Sequence, residues 1–440
     1  MVLRRSWRSV TAIVAAFSLA LVVGACGGDD SGGGGGGGGQ VTLSFLVGSA
    51  EDTVKPANAL IDAFEKKNPN IKIELETRPQ GGEGDNLVKT RLATQEMADI
   101  FQYNSGSLFQ ALRPENQLQP VNDEPWVKDL DPAFKPAVTA NNEVYGAPMG
   151  TSLGGGIFYN KKIYDRLKLE IPKTWDEFMA NNAKIKAAGI DPVLQSYQDT
   201  WTSQLFVLGD FHNVAAQDPD WADKYTKNQV KYAQEPAVEG FKHLEEVNKA
   251  GYLNDNFGSL KFEKALSLLA QQKGAHYPIL TSTLPNLETS DPNKVKDIGF
   301  FGIPGTDASK AGATLWLPGA VYIPRSTEGE KLDAAKKFLA FIASPEGCAT
   351  YAKAWDVSGP FMVKGCDLPA KVPPAVTDLQ KYVNEEKVTP ALEFSSPVKG
   401  PALEQITVEV GSGIRPATDG AQLYDEDVKK QAQQLGLEGW

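Results

Sequence analysis

The sequence is poor in the residues that build metal centres. Its 440 residues include only three histidines, His212, His243 and His276, and only three cysteines. A zinc or iron–sulfur site needs several such ligands at suitable spacings, and here they are scattered along the chain. The sequence therefore predicts no metal site and no bound cofactor.

An excess of basic residues is also missing. Lysine and arginine total 44 against 55 aspartates and glutamates, which gives a formal net charge of −11. Nucleic-acid binders need a basic face that displaces counterions from phosphates, so this partner class is excluded. The hydrophobic fraction of 41% is ordinary for a globular protein. Because 440 residues exceed what one compact core usually holds, we expect two domains.

Two motifs of enzyme sites are absent as well. The chain has no His-Glu-x-x-His pair, and the triplet Gly154–Gly156 lacks the Gly-Lys-Ser/Thr ending of a phosphate loop. We therefore predict a protein that is not an enzyme. A secreted glycoside hydrolase is a less favoured alternative. Its two catalytic carboxylates could be found by chance among so many acidic residues, so the presence of carboxylate pairs carries little weight.

A long apolar run occurs only near the amino terminus. Three arginines precede Val10–Val23, a run that is too short for a comfortable membrane span. The order of charge, apolar stretch and small residues is typical of a secretory signal. Its end, Val23-Gly24-Ala25-Cys26, resembles the bacterial lipobox, which implies that residues 1–25 are removed and that Cys26 carries a lipid.

Glycine dominates the segment that follows. Residues 26–40 include an unbroken run from Gly32 to Gly39, which predicts a flexible tether. Cys348 and Cys366 then remain as an even pair, and a disulfide between them is plausible outside the cytoplasm. We expect a lipid-anchored protein at the cell membrane that faces the extracytoplasmic side.

The first part of the remaining chain alternates strands with helices. Apolar residues alternate over 41–47 and 71–75, and residues 98–103 read as a third strand. Helical patterns separate the three segments, the second helix capped by Asp85. This order predicts an α/β fold with a parallel sheet, whose ligand loops lie at the carboxyl ends of strands. Further along, Thr174 with Glu177 and Thr327 with Glu330 have the spacing of capping boxes.

Several motifs in order resemble the family-1 extracellular solute-binding proteins. They comprise Ala98-Asp99-Ile100-Phe101, then Tyr145-Gly146-Ala147-Pro148 through Phe158-Tyr159-Asn160-Lys161, then Ile171 to Phe178, and last Pro318-Gly319 with the helix before Ser344-Pro345-Glu346. Members of this family serve carbohydrate ABC importers, and maltose-binding protein is a distant relative. The chain departs from the family at Leu317-Pro318-Gly319, where two glycines are usual, and near Tyr277-Pro278-Ile279-Leu280.

The resemblance implies a periplasmic-binding-protein-like fold of type II, with two discontinuous lobes and a ligand cleft between them. We expect residues 41–147 and 305–343 in the first lobe and residues 148–304 and 344–440 in the second. The implied function is capture of a sugar and its delivery to the membrane permease of an ABC importer, and we expect a monomer. A polyamine or other small-solute receptor of the same fold is the alternative.

Sugar hydroxyls favour carboxylate and amide partners, and sugar C–H faces favour flat aromatic rings. Residues of both kinds occur at strand ends and in loops of the chain. The candidate ligand contacts are Glu51, Asp52, Asp99, Tyr103, Asp199, Trp201, Trp316 and Trp355. Trp201 is the leading candidate, because in the family a tryptophan in this region often stacks on sugar. The number of tryptophans suggests a disaccharide or a longer oligosaccharide.

Overall fold

The computed structural model describes residues 39–79 and 81–440. The predicted signal peptide, the lipidated Cys26 and almost all of the tether lie outside the described residues. Residues Gln40–Trp440 form one compact unit. Within the described ranges, no helix is both long enough and apolar enough to cross a membrane.

Most strands of the described chain belong to two sheets, and a short hairpin stands apart. In chain order the strands are β1 Val41–Gly48, β2 Ile71–Arg78, β3 Ile100–Tyr103, β4 Thr139–Ala140, β5 Glu143–Val144, β6 Gly146–Pro148, β7 Leu153–Asn160, β8 Asp191–Val193, β9 Gly274–Leu280, β10 Ile298–Phe301, β11 Ala313–Trp316, β12 Ala320–Tyr322 and β13 Val388–Pro390.

Helices cover the sheets and make up the carboxyl-terminal region. They are α1 Glu51–Lys67, α2 Gly81–Ala93, α3 Ser107–Gln110, α4 Pro114–Gln117, α5 Lys161–Leu167, α6 Trp175–Ala187, α7 Leu205–Leu208, α8 Phe211–Gln217, α9 Trp221–Thr226, α10 Glu239–Lys249, α11 Phe262–Ala270, α12 Leu284–Ser290, α13 Gly329–Ile342, α14 Pro345–Ala354, α15 Pro374–Asn384, α16 Leu403–Gly411 and α17 Ala417–Gln434.

The first sheet has the strand order β2-β1-β3-β12-β6. Strand β1 pairs in parallel with β2 and with β3, while β12 runs antiparallel to β3 and β6. Leu43, Phe45 and Val47 of β1 are fully buried against helices α1 and α13. The predicted parallel arrangement of the first three strands is confirmed, so the loops that follow them meet at one edge of the sheet.

The second sheet has the order β13-β11-β7-β9-β8, and β10 also pairs with β7. Strand β7 is its centre and runs antiparallel to β9, β10 and β11. The carboxyl ends of β8, β9 and β11 and the amino end of β7 therefore share one edge. The two sheets define the two lobes.

The chain passes three times between the lobes. The first crossing comprises residues 149–152, between β6 of the first sheet and β7 of the second. The second needs correction from 305 to residues 317–319, because Thr314 of β11 still pairs with Gly155 of β7 in the second sheet. Strand β11, which was expected to belong to the first lobe, is therefore a strand of the second lobe.

The third crossing also lies later than the expected boundary at 344. Helix α14 packs on α1 of the first lobe, and Lys67 of α1 pairs with Glu346 of α14. Val363 then bridges to Leu130 in the same lobe, and the chain enters the second lobe only with α15, which packs on β10. Cys348 and Cys366 are joined by a disulfide, with their Cα atoms 5.8 Å apart, on the first-lobe side of this crossing.

Local signals for helix starts gave mixed results. The capping box at Thr174 and Glu177 is present and begins α6. The box expected at Thr327 is wrong, because its hydroxyl instead donates to the carbonyl of Asp99, 2.9 Å away, and α13 begins at Gly329 without a side-chain cap. Asp85, expected as a cap, lies inside α2, which begins at Gly81.

Candidate functional site

A polar cavity of about 440 Å³ lies at the carboxyl ends of the three parallel strands of the first lobe. Its walls combine side chains from the end of β2, from α1 and α2, and from β3 and the loop after it. The polar lining residues are Asp52, Thr53, Arg78, Asp85, Gln102 and Asn104. The cavity thus offers carboxylate, guanidinium, hydroxyl and amide groups within one enclosure.

Arg78 is the most buried charged group of this cavity. The residue is only 6% exposed, and its guanidinium carbon lies 5.4 Å from the centre of the Tyr103 ring. Its Nε atom has no hydrogen-bond partner among the described residues. Burial lowers the pKa of Arg78, and the negative charge of Asp85 opposes this effect. Arg78 therefore places a positive charge at the cavity wall, while its Nε donor is buried behind that wall.

Tyr103 lies behind this wall. The residue is fully buried, and its hydroxyl has no partner that meets hydrogen-bond geometry among the described residues. Burial raises the pKa of Tyr103, and Asp85 raises it further, so the phenol stays protonated at neutral pH. The ring of Tyr103 packs against the guanidinium of Arg78. This packing role differs from the direct ligand contact expected for Tyr103.

Glu51 and Asp52 occupy the exposed first turn of α1. Asp52 lines the cavity, whereas Glu51 pairs with Lys55 at 2.5 Å. The ammonium of Lys55 lies 5.8 Å from the centre of the Trp355 ring, which follows the end of α14. The structure therefore brings Glu51, Asp52 and Trp355 together on one side of the first lobe.

Asp199 and Trp201 lie beyond β8, at the shared edge of the second sheet. The indole of Trp201 is half-buried and meets the ring of Phe262 edge-on, with 5.6 Å between the ring centres. One carboxylate oxygen of Asp199 accepts the backbone N–H of Phe262 at 2.8 Å and so fixes the start of α11. Asp199 holds the aromatic pair in place, which leaves Trp201 as the second-lobe candidate for sugar stacking.

Trp316 has a packing role at the end of β11. A Cβ atom at Gly155 would come within 2.1 Å of its indole, so the ring lies directly on the backbone of β7. Its other neighbours, Leu392, Val398 and Tyr424, line a narrow gap of the second lobe. Trp316 therefore packs within the second lobe and lies outside the first-lobe cavity, and its contact with ligand stays a prediction.

The expectation that Asp99 contacts ligand needs correction. Asp99 precedes β3 and lies at the amino end of the strand, whereas the cavity lies at the carboxyl end. Its carboxylate accepts the N–H and the hydroxyl of Ser44 at 2.9 and 3.0 Å and pairs with Lys331 at 2.9 Å. This carboxylate joins β1, β3 and α13 and is a structural group.

Sequence reasoning missed Arg78, Asp85 and Gln102. Arg78 ends β2, which is parallel to β1, so the rule that drew attention to the loops after β1 and β3 applies equally to it. A fourth missed residue is Gln195, just beyond β8. It is 1% exposed, and neither atom of its side-chain amide has a partner among the described residues.

The loop after β3 also contacts the second lobe. The hydroxyl of Ser105 donates to the carbonyl of Pro318 at 2.9 Å, and that of Ser107 donates to the carbonyl of Glu393 at 2.5 Å. The cavity-lining Asn104 is therefore adjacent to the boundary between the lobes.

On the second lobe, burial raises the pKa of Glu288 in α12, and the charge of Asp356, which follows Trp355, raises it further.

No metal site is formed by the described residues: no group of three or more histidine, cysteine, aspartate or glutamate side chains could hold an ion there. The three histidines are buried in the second lobe. His276 bonds to Tyr164 and Asn182, and burial lowers its pKa to about 3. These histidines belong to the core of the lobe.

Residues 48–347 match the family model described as bacterial extracellular solute-binding protein. Among curated proteins, the chain is 25% identical over 316 residues to the multiple sugar-binding protein of Streptococcus mutans, covering 70% of this chain and 71% of that one. It is 26% identical over 323 residues to the melibiose/raffinose/stachyose-binding protein MelE of Bacillus subtilis, covering 70% of each.

Among solved structures, the ligand-free form of RafE from Streptococcus pneumoniae is similar, with a TM-score of 0.73 at 20% identity. The match covers 89% of this chain and 98% of that chain. The likeness extends through both lobes and confirms the two-lobe fold of a solute-binding protein.

Proposed function

The chain belongs to the bacterial extracellular solute-binding proteins, and on this premise we propose that it is the sugar-capturing receptor of an ABC importer. The observation that carries the proposal is the first-lobe cavity, where carboxylate, amide and guanidinium groups converge. Such a set matches the hydroxyl groups of a sugar. The names of the two curated relatives, which are a multiple sugar-binding protein and a melibiose/raffinose/stachyose-binding protein, support the same ligand class.

The ligand contacts come from both lobes. Asp52 and Asn104 of the first lobe bind hydroxyls of the sugar. Trp201 of the second lobe stacks on a sugar ring, and Trp355 of the first lobe contacts the same ligand. A di- or oligosaccharide that touches both sides makes its full set of contacts only when the lobes close. The ligand then shifts the equilibrium towards the closed form by its difference in affinity for the two forms. No covalent chemistry is required of the protein.

The family places the chain outside the cytoplasm. Beyond this, the lipobox-like sequence ending at Cys26 supports a lipid anchor, and the glycine-rich segment 26–40 would hold the two lobes away from the membrane. The receptor acts as a monomer that delivers its sugar to the permease subunits. Labelling of cells with a palmitate analogue tests the anchor, because the label must disappear in Cys26→Ser.

Tryptophan fluorescence of the purified protein tests the proposed function. Melibiose, raffinose and stachyose are titrated beside galactose and glucose, with spermidine as the charged control. We expect saturable binding of at least one di- or oligosaccharide and none of spermidine. Binding of spermidine alone would indicate a polyamine receptor, and hydrolysis of any oligosaccharide would show an enzyme; either result overturns the proposal.

A further inference from the structure

Trp201 lies on a single turn of 3-10 helix, Thr200–Gln204, and both residues that flank it have hydroxyl groups with protein partners. The hydroxyl of Thr202 donates to the carbonyl of Ser196 at 3.1 Å. The hydroxyl of Thr200 donates to the carboxylate of Glu404 on α16 at 2.7 Å. Because Trp201 lies between these two threonines, its backbone is held from two sides.

Tyr277 of β9 completes the network on the Thr202 side. Its hydroxyl lies 2.5 Å from that of Ser196, and the Ser196 hydroxyl donates to that of Thr202 at 3.0 Å. Burial raises the pKa of Tyr277, so the phenol keeps its proton at neutral pH and donates it to Ser196. The hydrogen bonds therefore run from a central strand of the sheet, through Ser196, to the turn that presents Trp201.

The members of this network are too deeply buried to contact a ligand. Tyr277, Ser196 and Thr202 are all fully buried, whereas the indole of Trp201 is half-buried. Buried hydroxyls are unfavourable unless each has a partner, and a buried network in which all are satisfied favours one geometry over others. An effect of Tyr277 on ligand affinity must therefore pass through the turn or through the stability of the lobe.

The opposite side of the turn is fixed in the same way. The hydroxyl of Ser203 lies 2.7 Å from that of Thr407 on α16, next to the bond between Thr200 and Glu404. An aromatic side chain on a turn held at both ends loses little freedom when a ligand stacks on it, and affinity rises as this cost falls. The network thus prepares the indole before the ligand arrives.

We propose that Tyr277, acting through Ser196 and Thr202, is a positioning residue that fixes Trp201 for stacking on the ligand. The inference rests on the proposed sugar-receptor function and adds to it a residue that sets the affinity without touching the sugar. The phenol hydroxyl is the group that matters, because the ring of Tyr277 belongs to the core of the lobe in any case.

Titration calorimetry with the tightest binder among melibiose, raffinose and stachyose tests the role of the hydroxyl. Tyr277→Phe keeps the ring and is expected to raise the dissociation constant at least fivefold. Thr202→Val should have a similar effect, because it breaks the same network, and Thr202→Ser should restore the affinity to within twofold of the wild-type value.

The matched control is Tyr164→Phe. Tyr164 is also buried in the second lobe, and its hydroxyl lies 2.7 Å from a ring nitrogen of His276, outside the network. Thermal unfolding of the two phenylalanine variants measures what each lost hydrogen bond costs in stability. We expect Tyr164→Phe to keep the dissociation constant within twofold, which separates affinity from stability.

A double-mutant cycle with Trp201→Ala shows whether Tyr277 acts through the indole. Once the indole is absent, Tyr277→Phe should change the dissociation constant by less than twofold, because a positioning residue has nothing left to position. A merely structural role predicts the same fold change in both backgrounds. That result, or an affinity of Tyr277→Phe within twofold of the wild-type value, overturns the inference.

Quenching of tryptophan fluorescence by acrylamide gives a readout that needs no ligand. Subtraction of the signal of the matching Trp201→Phe derivative isolates the emission of Trp201 from that of the other tryptophans. We expect Tyr277→Phe to raise the quenching constant of Trp201, and Tyr164→Phe to leave it unchanged. Absence of binding of every neutral sugar by the wild-type protein overturns the proposed function, whereas unchanged quenching in Tyr277→Phe overturns the positioning role.

Discussion

The role of an acidic side chain in the first lobe depends on the end of the sheet at which it lies. Asp52 follows β1 and lines the cavity, whereas Asp99 precedes β3 and is bound by Ser44 and Lys331. Both residues flank strands of the same sheet, but only the carboxyl ends of parallel strands face the cavity. The end of the strand at which an aspartate lies therefore decides whether it faces the ligand cavity or has a structural role.

Asp99→Asn should lower stability without changing sugar affinity. The amide keeps one acceptor oxygen but cannot form the ion pair with Lys331, so we expect a loss of about 1–3 kcal/mol in the free energy of unfolding. Urea denaturation measures the loss, and the exposed Asp62→Asn of α1 serves as a control. A dissociation constant that rises tenfold in Asp99→Asn would contradict the structural role.

Trp201→Ala should weaken sugar binding by more than about 1 kcal/mol, the lower range for loss of an aromatic anchor. The half-buried indole is held edge-on by Phe262 and offers a flat surface for a sugar ring. Trp201→Phe keeps a ring and should recover part of the affinity, as measured by calorimetry. Equal affinities for the alanine variant and the wild-type protein would exclude Trp201 as a stacking platform.

The candidate site was only partly predictable from the sequence, for a reason that Arg78 makes clear. The alternation of β2 shows where that strand ends, but no local pattern shows that its last side chain lies over the ring of Tyr103 and lines a cavity. Trp316 illustrates the reverse case. Its place in an apolar strand leaves its role open, and only the contact with Gly155 across the sheet shows a packing role.

A single glycine, Gly84, allows helix α2 to lie close to the end of β2 beside the cavity. A Cβ atom at Gly84 would lie 2.0 Å from the carbonyl oxygen of Pro79 and 2.7 Å from Nη1 of Arg78. A contact with backbone cannot be relieved by rotation of a side chain. The absence of a side chain at this position therefore allows α2 to approach the end of β2 and to present Asp85 near Arg78.

Gly84→Ala should accordingly destabilise the protein by about 1–3 kcal/mol, the cost typical of overpacking, and should also weaken sugar binding. Gly82→Ala is the matched control on the same helix, because its Cβ atom would meet nothing within 4 Å. We expect it to be neutral or slightly stabilising, since alanine favours helix over glycine. Thermal unfolding and calorimetry of the two variants check this contrast, and equal stability of both would refute it.

Secondary-structure elements were more predictable than their partners. Alternation correctly placed β1 and β2, and the Thr174 capping box correctly placed α6, because these signals are local. Thr327 has the same spacing from a glutamate, but its hydroxyl donates a hydrogen bond to the carbonyl of Asp99 and does not cap a helix. A tertiary contact from a residue more than two hundred positions away decides between the two outcomes.

At the scale of the whole molecule, the three crossings make each lobe depend on distant parts of the chain. The first lobe contains β1 to β6, then β12, α13 and α14, and ends near the disulfide. Residue spacing alone did not place the second and third crossings, because β11 and α14 are assigned to lobes by their partners β7 and α1. A two-lobe clamp of this kind keeps its lobes linked at several points while the cleft opens and closes.

The disulfide closes the last part of the first lobe, and its loss should be seen in stability before it is seen in binding. Cys348 lies on α14 and Cys366 follows the segment that bridges to Leu130, with a sequence separation of 18. A closed loop of this length contributes about 3 kcal/mol by restricting the unfolded chain. We expect the double variant Cys348→Ser/Cys366→Ser to lose about that much in the free energy of unfolding.

Sugar affinity of the folded double variant should stay within a few-fold of the wild-type value. The packing of α14 on α1 does not depend on the disulfide, so Trp355 keeps its place beside Lys55. Guanidinium denaturation with and without a reductant provides the control. Reductant should shift the wild-type transition to that of the double variant and leave the variant unchanged, whereas coincident transitions of the oxidised wild type and the variant would show that the bond does not stabilise the lobe.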